Sequence, residues 1–415
     1  MASNLDLNRD RHRGLLYLGA IRTTICKEVA IECQAILGQS LRSIVLTGSL
    51  AREEATFKKV GDGWELLGDV DCLLVLQTGA TLPPAAEVDS LGKTIEARLL
   101  GFGIRAQIGL NIVRPSYFRV LPHHIFTFEL RSSGRVIWGD PEVLGLIPDF
   151  PPEQISRDDA WRTLCHRIIE LLACLQEMPF PIETLPPGLV YATLKLYLDM
   201  ATSYLVFLGR YAPTYAERER RLRLLAENEG AGKRSPFSLK EFSRRVSECT
   251  AWKLCGPPDS DQMACQLLEE AIVYAQLLWR WESVQLASND RPLLVGALCE
   301  SVARQQGIAQ RLRGWISISC RTNWSQSWKD LPRWVRLGFG ASPRYLVYRV
   351  AVEAFWQLPS LLQHQRSTQI NLNWDALRSL LPTRAPAPPS RLSYWHDLVR
   401  EVTWNYQRFL LGTLS

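Results

Sequence analysis

The sequence predicts an α+β chain, with strands and helices alternating through the first 150 residues and helices following almost without interruption. Two observations carry this reading. The runs "SIVL", "VDCLLVL" and "IRAQIGLNIV" are short and apolar or alternate with a two-residue period, as strands do. Beyond the proline-rich stretch from Pro148 to Gln154, apolar residues recur at helical spacing instead.

Taken in order, the first element is a helix, because Leu18, Ile21, Ile25, Val29, Cys33 and Ile36 form one 3.6-residue stripe. A strand follows at Ser43–Thr47 and stops at Gly48-Ser49. Next comes a turn-rich insertion around Gly61–Gly63, read as a turn or hairpin. The strand "VDCLLVL", a helix near Ala85–Leu100 and the strand "IRAQIGLNIV" complete the pattern, with a further strand-like run at "IFTFELRSSGRVIWGD". In the helical part, Ser156 with Asp159 and Thr214 with Glu217 are capping-box starts. Proline and glycine punctuation divides the chain into expected domains at 1–150, 151–287 and 288–415.

Composition bounds the function. With 415 residues, 47% hydrophobic and 22% charged, the chain has enough apolar material for two or three domains. A net charge of +6 is mild at this length and does not imply a mainly electrostatic nucleic-acid binder. The ten cysteines contain no C-x-x-C pair and the six histidines only one adjacent pair, His123 and His124, which is the wrong spacing for a zinc site. Cys26, Cys33, Cys165 and Cys174 fall in apolar helical stretches and read as buried, reduced thiols. The start "MASNLDLNRDRHRG" is polar, and no run of about 18 uncharged apolar residues occurs, so the expectation is a cytoplasmic protein with no membrane partner.

Chemistry concentrates at "LTGSLAREEATF" and "GDVDCLLVL". A Gly-Ser corner between a strand and a helix offers backbone N–H groups and a hydroxyl to phosphate. Asp69 and Asp71, one residue apart on a strand, send both carboxylates to one face, where like charges repel unless a cation lies between them. Such oxygen pairs suit Mg²⁺.

Together "TGSLAR" and "GDVDCLLVL" resemble the signature of the polymerase-β-type nucleotidyltransferase superfamily, over about the first 150 residues. The resemblance implies a mixed sheet with flanking helices ahead of the helical region. It also implies transfer of a nucleoside monophosphate from a triphosphate such as ATP to a hydroxyl. By it, Gly48 and Ser49 hold the triphosphate, with Arg52 assisting from the next turn, and Asp69 and Asp71 are catalytic ligands of Mg²⁺, with Mn²⁺ the alternative. The alternative for Arg52 is an ion pair with Glu53 or Glu54. The acceptor is left open among protein, small molecule and RNA.

The third carboxylate of that family pattern is missing, since "IRAQIGLNIV" presents Gln107, Gly109 and Asn111 on its polar face. Asn111 could ligate a metal through its carbonyl, more weakly than an acid. Glu129 is the candidate replacement, resembling the glutamate base of aminoglycoside-modifying nucleotidyltransferases, and its alternative is an ion pair with Arg131 or Arg135. Lys195 resembles the lysine that helical domains of such proteins extend to the triphosphate, and its alternative is a surface pair with Asp199. Tyr211 and Tyr215 are candidates for an acceptor pocket or for simple loop packing. "AERERRLRLL" reads as a solvated helix face.

Between Arg304 and Arg349, nine basic residues face the single acid Asp330, with Trp315, Trp324, Trp328 and Trp334 interleaved. Stacking on RNA and ordinary helix core both account for that pattern. The competing functions are therefore a catalytically weakened nucleotide-binding or scaffold protein, and an RNA-modifying or RNA-binding one.

Overall fold

The structure, a computed structural model, describes residues 4–180, 182, 185–228, 235–255, 261–288, 293–321, 324–362, 373–386 and 393–409, with side chains outside 4–17, 261–263, 318–330 and 409. It divides into two compact units, one of Met1–Ser156, Gly209–Arg218 and Thr250–Gly256, the other of Arg157–Leu208, Glu219–Cys249 and Pro257–Ser415. The helices on either side of the expected break at 287–288 lie in the same unit.

In the first unit five strands form one mixed sheet: β1 (Leu41–Thr47), β2 (Phe57–Val60), β3 (Gly63–Leu76), β4 (Ile104–Val113) and β5 (Arg135–Gly139). The helices around it are α1 (Asn4–Leu37), α2 (Gly48–Ala51), α3 (Ala85–Gly101), α4 (Pro115–Arg119) and α5 (Ile125–Ser133). Long β3 is the centre, antiparallel to β1 and β2 and parallel to β4. The insertion after the Gly-Ser corner is the hairpin β2–β3, which turns at Gly61. The parallel β3–β4 pair needs a crossover, and α3 supplies it.

Side-chain alternation gives the sheet two covered faces. Ile44, Leu46, Val70, Cys72, Leu74 and Ile108 meet Ile21, Ile25, Val29 and Cys33 of α1 and Leu91, Ile95 and Leu99 of α3. On the other face Val45, Leu73, Val75 and Val113 meet Phe118, Leu130 and Val143. That second core stops at Leu73. Asp71 and Asp69, next along the same face, are half-buried and exposed respectively.

Two local expectations change. The run around Glu129 is helix α5, not strand, and strand begins only at Arg135. Its phenylalanines favour strands in isolation, but Thr127 and Leu130, three apart, are the buried positions, and packing outweighs propensity. The helix expected after the Gly-Ser corner is the single turn α2.

The second unit is helical: α6 (Arg157–Leu175), α7 (Pro187–Phe207), α10 (Asp261–Ala287), α11 (Val295–Arg304), α12 (Ile308–Arg321), α13 (Trp324–Gly338), α14 (Pro343–Phe355), α15 (Leu358–Leu362), α16 (Trp374–Leu380) and α17 (Tyr394–Phe409), with most of α8 (Tyr215–Glu227) and α9 (Leu239–Cys255). Thr214 caps α8 as expected, its Oγ1 accepting from Glu217 N at 3.2 Å. Trp161 anchors the interior, stacked on Tyr345 at 5.4 Å and donating from Nε1 to Ser283 at 2.9 Å. No helix among the described residues is long and apolar enough to cross a membrane.

Candidate functional site

Thr47, the last residue of β1, pairs with Asp71 of β3, and Gly109 of β4 pairs with Asp71 from the other side. The register therefore brings the Gly-Ser corner and the aspartate pair together. Gly48 has φ +70°, a backbone that disfavours side chains, and a Cβ placed there would lie 2.9 Å from Asp71 Oδ2. A Cβ on Gly109 would lie 3.0 Å from Asp71 Oδ1. The Asp71 carboxylate thus fits closely between the two glycines, and a side chain at either would press on it. Gly109 was legible in the sequence as an isolated glycine inside a strand, a sign of close approach.

Just before Asp69 the sheet is irregular. Glu65 pairs with Arg105 and Asp69 with Gln107, so four residues of β3 run against two of β4. A groove of about 650 Å³ opens there, lined by Glu65, Asp69, Lys93, Glu96, Arg105 and Gln107 among others. Glu96 reaches across from α3 to accept from Ile108 N at 2.9 Å.

Asn111 lies opposite Leu73, two residues beyond Gly109 on the strand face that also carries Gln107. Among the described residues no group of three or more His, Cys, Asp or Glu side chains is arranged to hold a metal. The donor set at the corner is therefore two carboxylates with amides beside them. It fits a cation such as Mg²⁺ that keeps waters and takes other ligands from phosphate.

Arg52 and Glu129 belong to a different arrangement. Arg52 donates from Nη1 to Glu129 Oε2 at 2.6 Å and from Nε to Glu54 Oε2 at 3.3 Å, and its guanidinium lies over the Tyr215 ring. Burial opposes its charge, but Glu129, the two tyrosines and Glu54 outweigh that and hold it protonated. Glu129 also accepts from Arg218 at 3.3 Å and from the Tyr211 hydroxyl. The ion-pair partners of Glu129 are thus Arg52 and Arg218 rather than Arg131 or Arg135.

Glu54 accepts from Tyr215 N at 2.6 Å and Ala216 N at 3.3 Å. Burial raises its carboxyl pKa, and the two arginines and those N–H groups offset part of the rise. Tyr211 is fully buried, so it packs the interior and lines no open pocket. Arg218, expected on a solvated face, is buried as well and donates to Pro213 O at 3.0 Å. No local pattern marks this cluster, because its hydrogen bonds join residues up to 162 positions apart.

Lys195 lies in the second unit, its ammonium 5.0 Å from the Tyr191 ring centroid. Asp199 is paired with Arg167 at 2.6 Å. Trp315 and Trp334 are buried and donate to Ala341 O and Pro382 O, which makes them core rather than a stacking platform. The side chains of Trp324 and Trp328 lie outside the described residues.

No family model matches the chain, and no curated protein does either. A solved spectinomycin adenyltransferase from Enterococcus faecialis, with ATP and spectinomycin, aligns with 61% of this chain and 98% of its own at 14% identity and a TM-score of 0.37. A likeness at that level bears no weight on what this chain does.

Proposed function

We propose that the first unit binds a nucleoside triphosphate with Mg²⁺ and transfers the nucleoside monophosphate to a hydroxyl, releasing pyrophosphate. The observation that carries this reading is the seating of the Asp71 carboxylate directly against Gly48, which makes the phosphate corner and the metal pair one site. Asp69 and Asp71 would hold the cation, which when bound offsets charge on the phosphate oxygens. Ser49 contributes its hydroxyl and backbone N–H to those oxygens. The single turn α2 contributes little macrodipole, so these local donors carry the binding. Lys93 and Arg105, in the groove with Asp69, supply positive charge, since Arg52 is committed to Glu129 and Glu54. Mn²⁺ is the alternative cation.

One observation favours a second reading, nucleotide binding with weakened or absent transfer. Three donors already engage Glu129, which leaves it poorly placed to take a proton from an acceptor, and β4 supplies amides where an acid would help. Calorimetry with ATP or GTP, with and without Mg²⁺, on the parent and an Asp69→Asn, Asp71→Asn variant tests the shared site. Mg²⁺ should tighten binding in the parent and not in the variant, and equal affinity throughout would overturn the proposal. Pyrophosphate release with each nucleotide then separates the two readings.

A further inference from the structure

Helices α12 and α13 each carry one broad apolar face, with buried side chains and an exposed line beside them. The buried side chains are Trp315, Trp334 and Leu337, with the two indoles 6.1 Å apart. The exposed line is Ile308, Leu312 and Ile316 on α12, and Leu331, Val335 and Phe339 along α13 and just past its end. These positions are four apart, so each trio forms one stripe along its helix. Exposure runs from 41% at Leu331 to 81% at Phe339, so the apolar face of these helices is wider than the part that is buried.

Charge indicates what these stripes meet. Arg313 follows Leu312 and Arg336 follows Val335, each about 100° round the helix from its neighbour, so both exposed guanidinium groups flank the stripes. The surrounding sequence from Arg304 to Arg349 holds nine basic residues against Asp330 alone. Apolar stripes edged by arginine are the composition of helices that lie in a bilayer interface. We propose that α12 and α13 seat the second unit on an anionic lipid surface. The six outward side chains enter the boundary between headgroups and acyl chains, and Arg313 and Arg336 meet lipid phosphates. Neither helix spans the bilayer. An acidic protein partner or a second copy of the chain would satisfy charge or apolar surface separately, whereas an anionic bilayer satisfies both.

The test is flotation of the full chain with vesicles of phosphatidylcholine alone or mixed with phosphatidylglycerol, at low and high salt. The expected result is binding to the mixed vesicles, weakened by salt, with little binding to the neutral ones. L312E/V335E should abolish it, and circular dichroism should be unchanged because both positions are more than half exposed. R313Q/R336Q, which leaves the apolar stripes intact, should weaken it about thirtyfold, as expected for two cations beside an anionic leaflet. Absence of binding to anionic vesicles at low salt overturns the proposal, as does binding unaffected by both variants. Self-association seen by light scattering and lost in L312E/V335E, without vesicle binding, would also overturn it, assigning the face to a second copy.

Discussion

Glu282 of α10 offers a quantitative test of how the second unit is packed. It is fully buried, and neither carboxylate oxygen has a hydrogen-bond partner of standard geometry. Desolvation pushes its pKa from 4.5 up to about 8, with nearby Ser203 offsetting a small part. The folded protein therefore keeps this proton to about pH 8, whereas the unfolded chain releases it above 4.5. Across that window the unfolded state binds fewer protons, so the contribution of Glu282 to stability is fully present below pH 4.5 and is lost as pH rises through 8. Each pH unit inside the window costs about 1.4 kcal/mol, and the whole window up to about 5 kcal/mol. Glu282→Gln keeps the shape and cannot ionise. Urea denaturation of parent and variant at pH 5.5, 6.5 and 7.5 is the assay, in which the difference between the two cancels other titrating groups. The variant should gain about 3 kcal/mol on the parent between the first and last pH. Parallel profiles would refute the reasoning and mean that water or rearrangement solvates the carboxylate.

Three further outcomes are expected. Gly48→Ala should cost about 1–2 kcal/mol for its left-handed backbone and, by displacing Asp71, remove the effect of Mg²⁺ on nucleotide affinity in calorimetry. Glu129→Gln leaves Arg52 and Arg218 without their carboxylate, so thermal denaturation should show a loss of about 3 kcal/mol. A drop in turnover with an unchanged melting temperature would instead make Glu129 the base. Tyr211→Phe should cost about 1–3 kcal/mol by the same measurement, with nucleotide affinity in calorimetry unchanged.

The elements easiest to read in the sequence were those with a strong local period. "IRAQIGLNIV" is β4 to the residue, and the stripe from Leu18 to Ile36 lies on α1. That the corner and Asp71 lie together was expected only through the resemblance carried by the two motifs, and it is the β1–β3 register, with Thr47 opposite Asp71, that brings them together. The cluster around Glu129 was not, since its geometry depends on Tyr211 and Arg218 returning to the first unit after α6 and α7. Local pattern also misjudged α5, where the buried spacing of Thr127 and Leu130 prevailed over strand-favouring aromatics.

The first unit is discontinuous along the chain, and this bears on how the protein can change over evolutionary time. Glu129 and Arg218 share one buried charge balance, as do Glu54 and the backbone N–H groups of Tyr215 and Ala216. A substitution that neutralises Glu129 leaves an arginine to be accommodated 89 residues away, so the two positions are expected to covary among related chains. The stretch Gly209–Arg218 should accordingly be inherited with the sheet rather than with the helices that flank it. A shorter relative ending near Ser156 would have to meet Arg52, Glu54 and Glu129 with different partners.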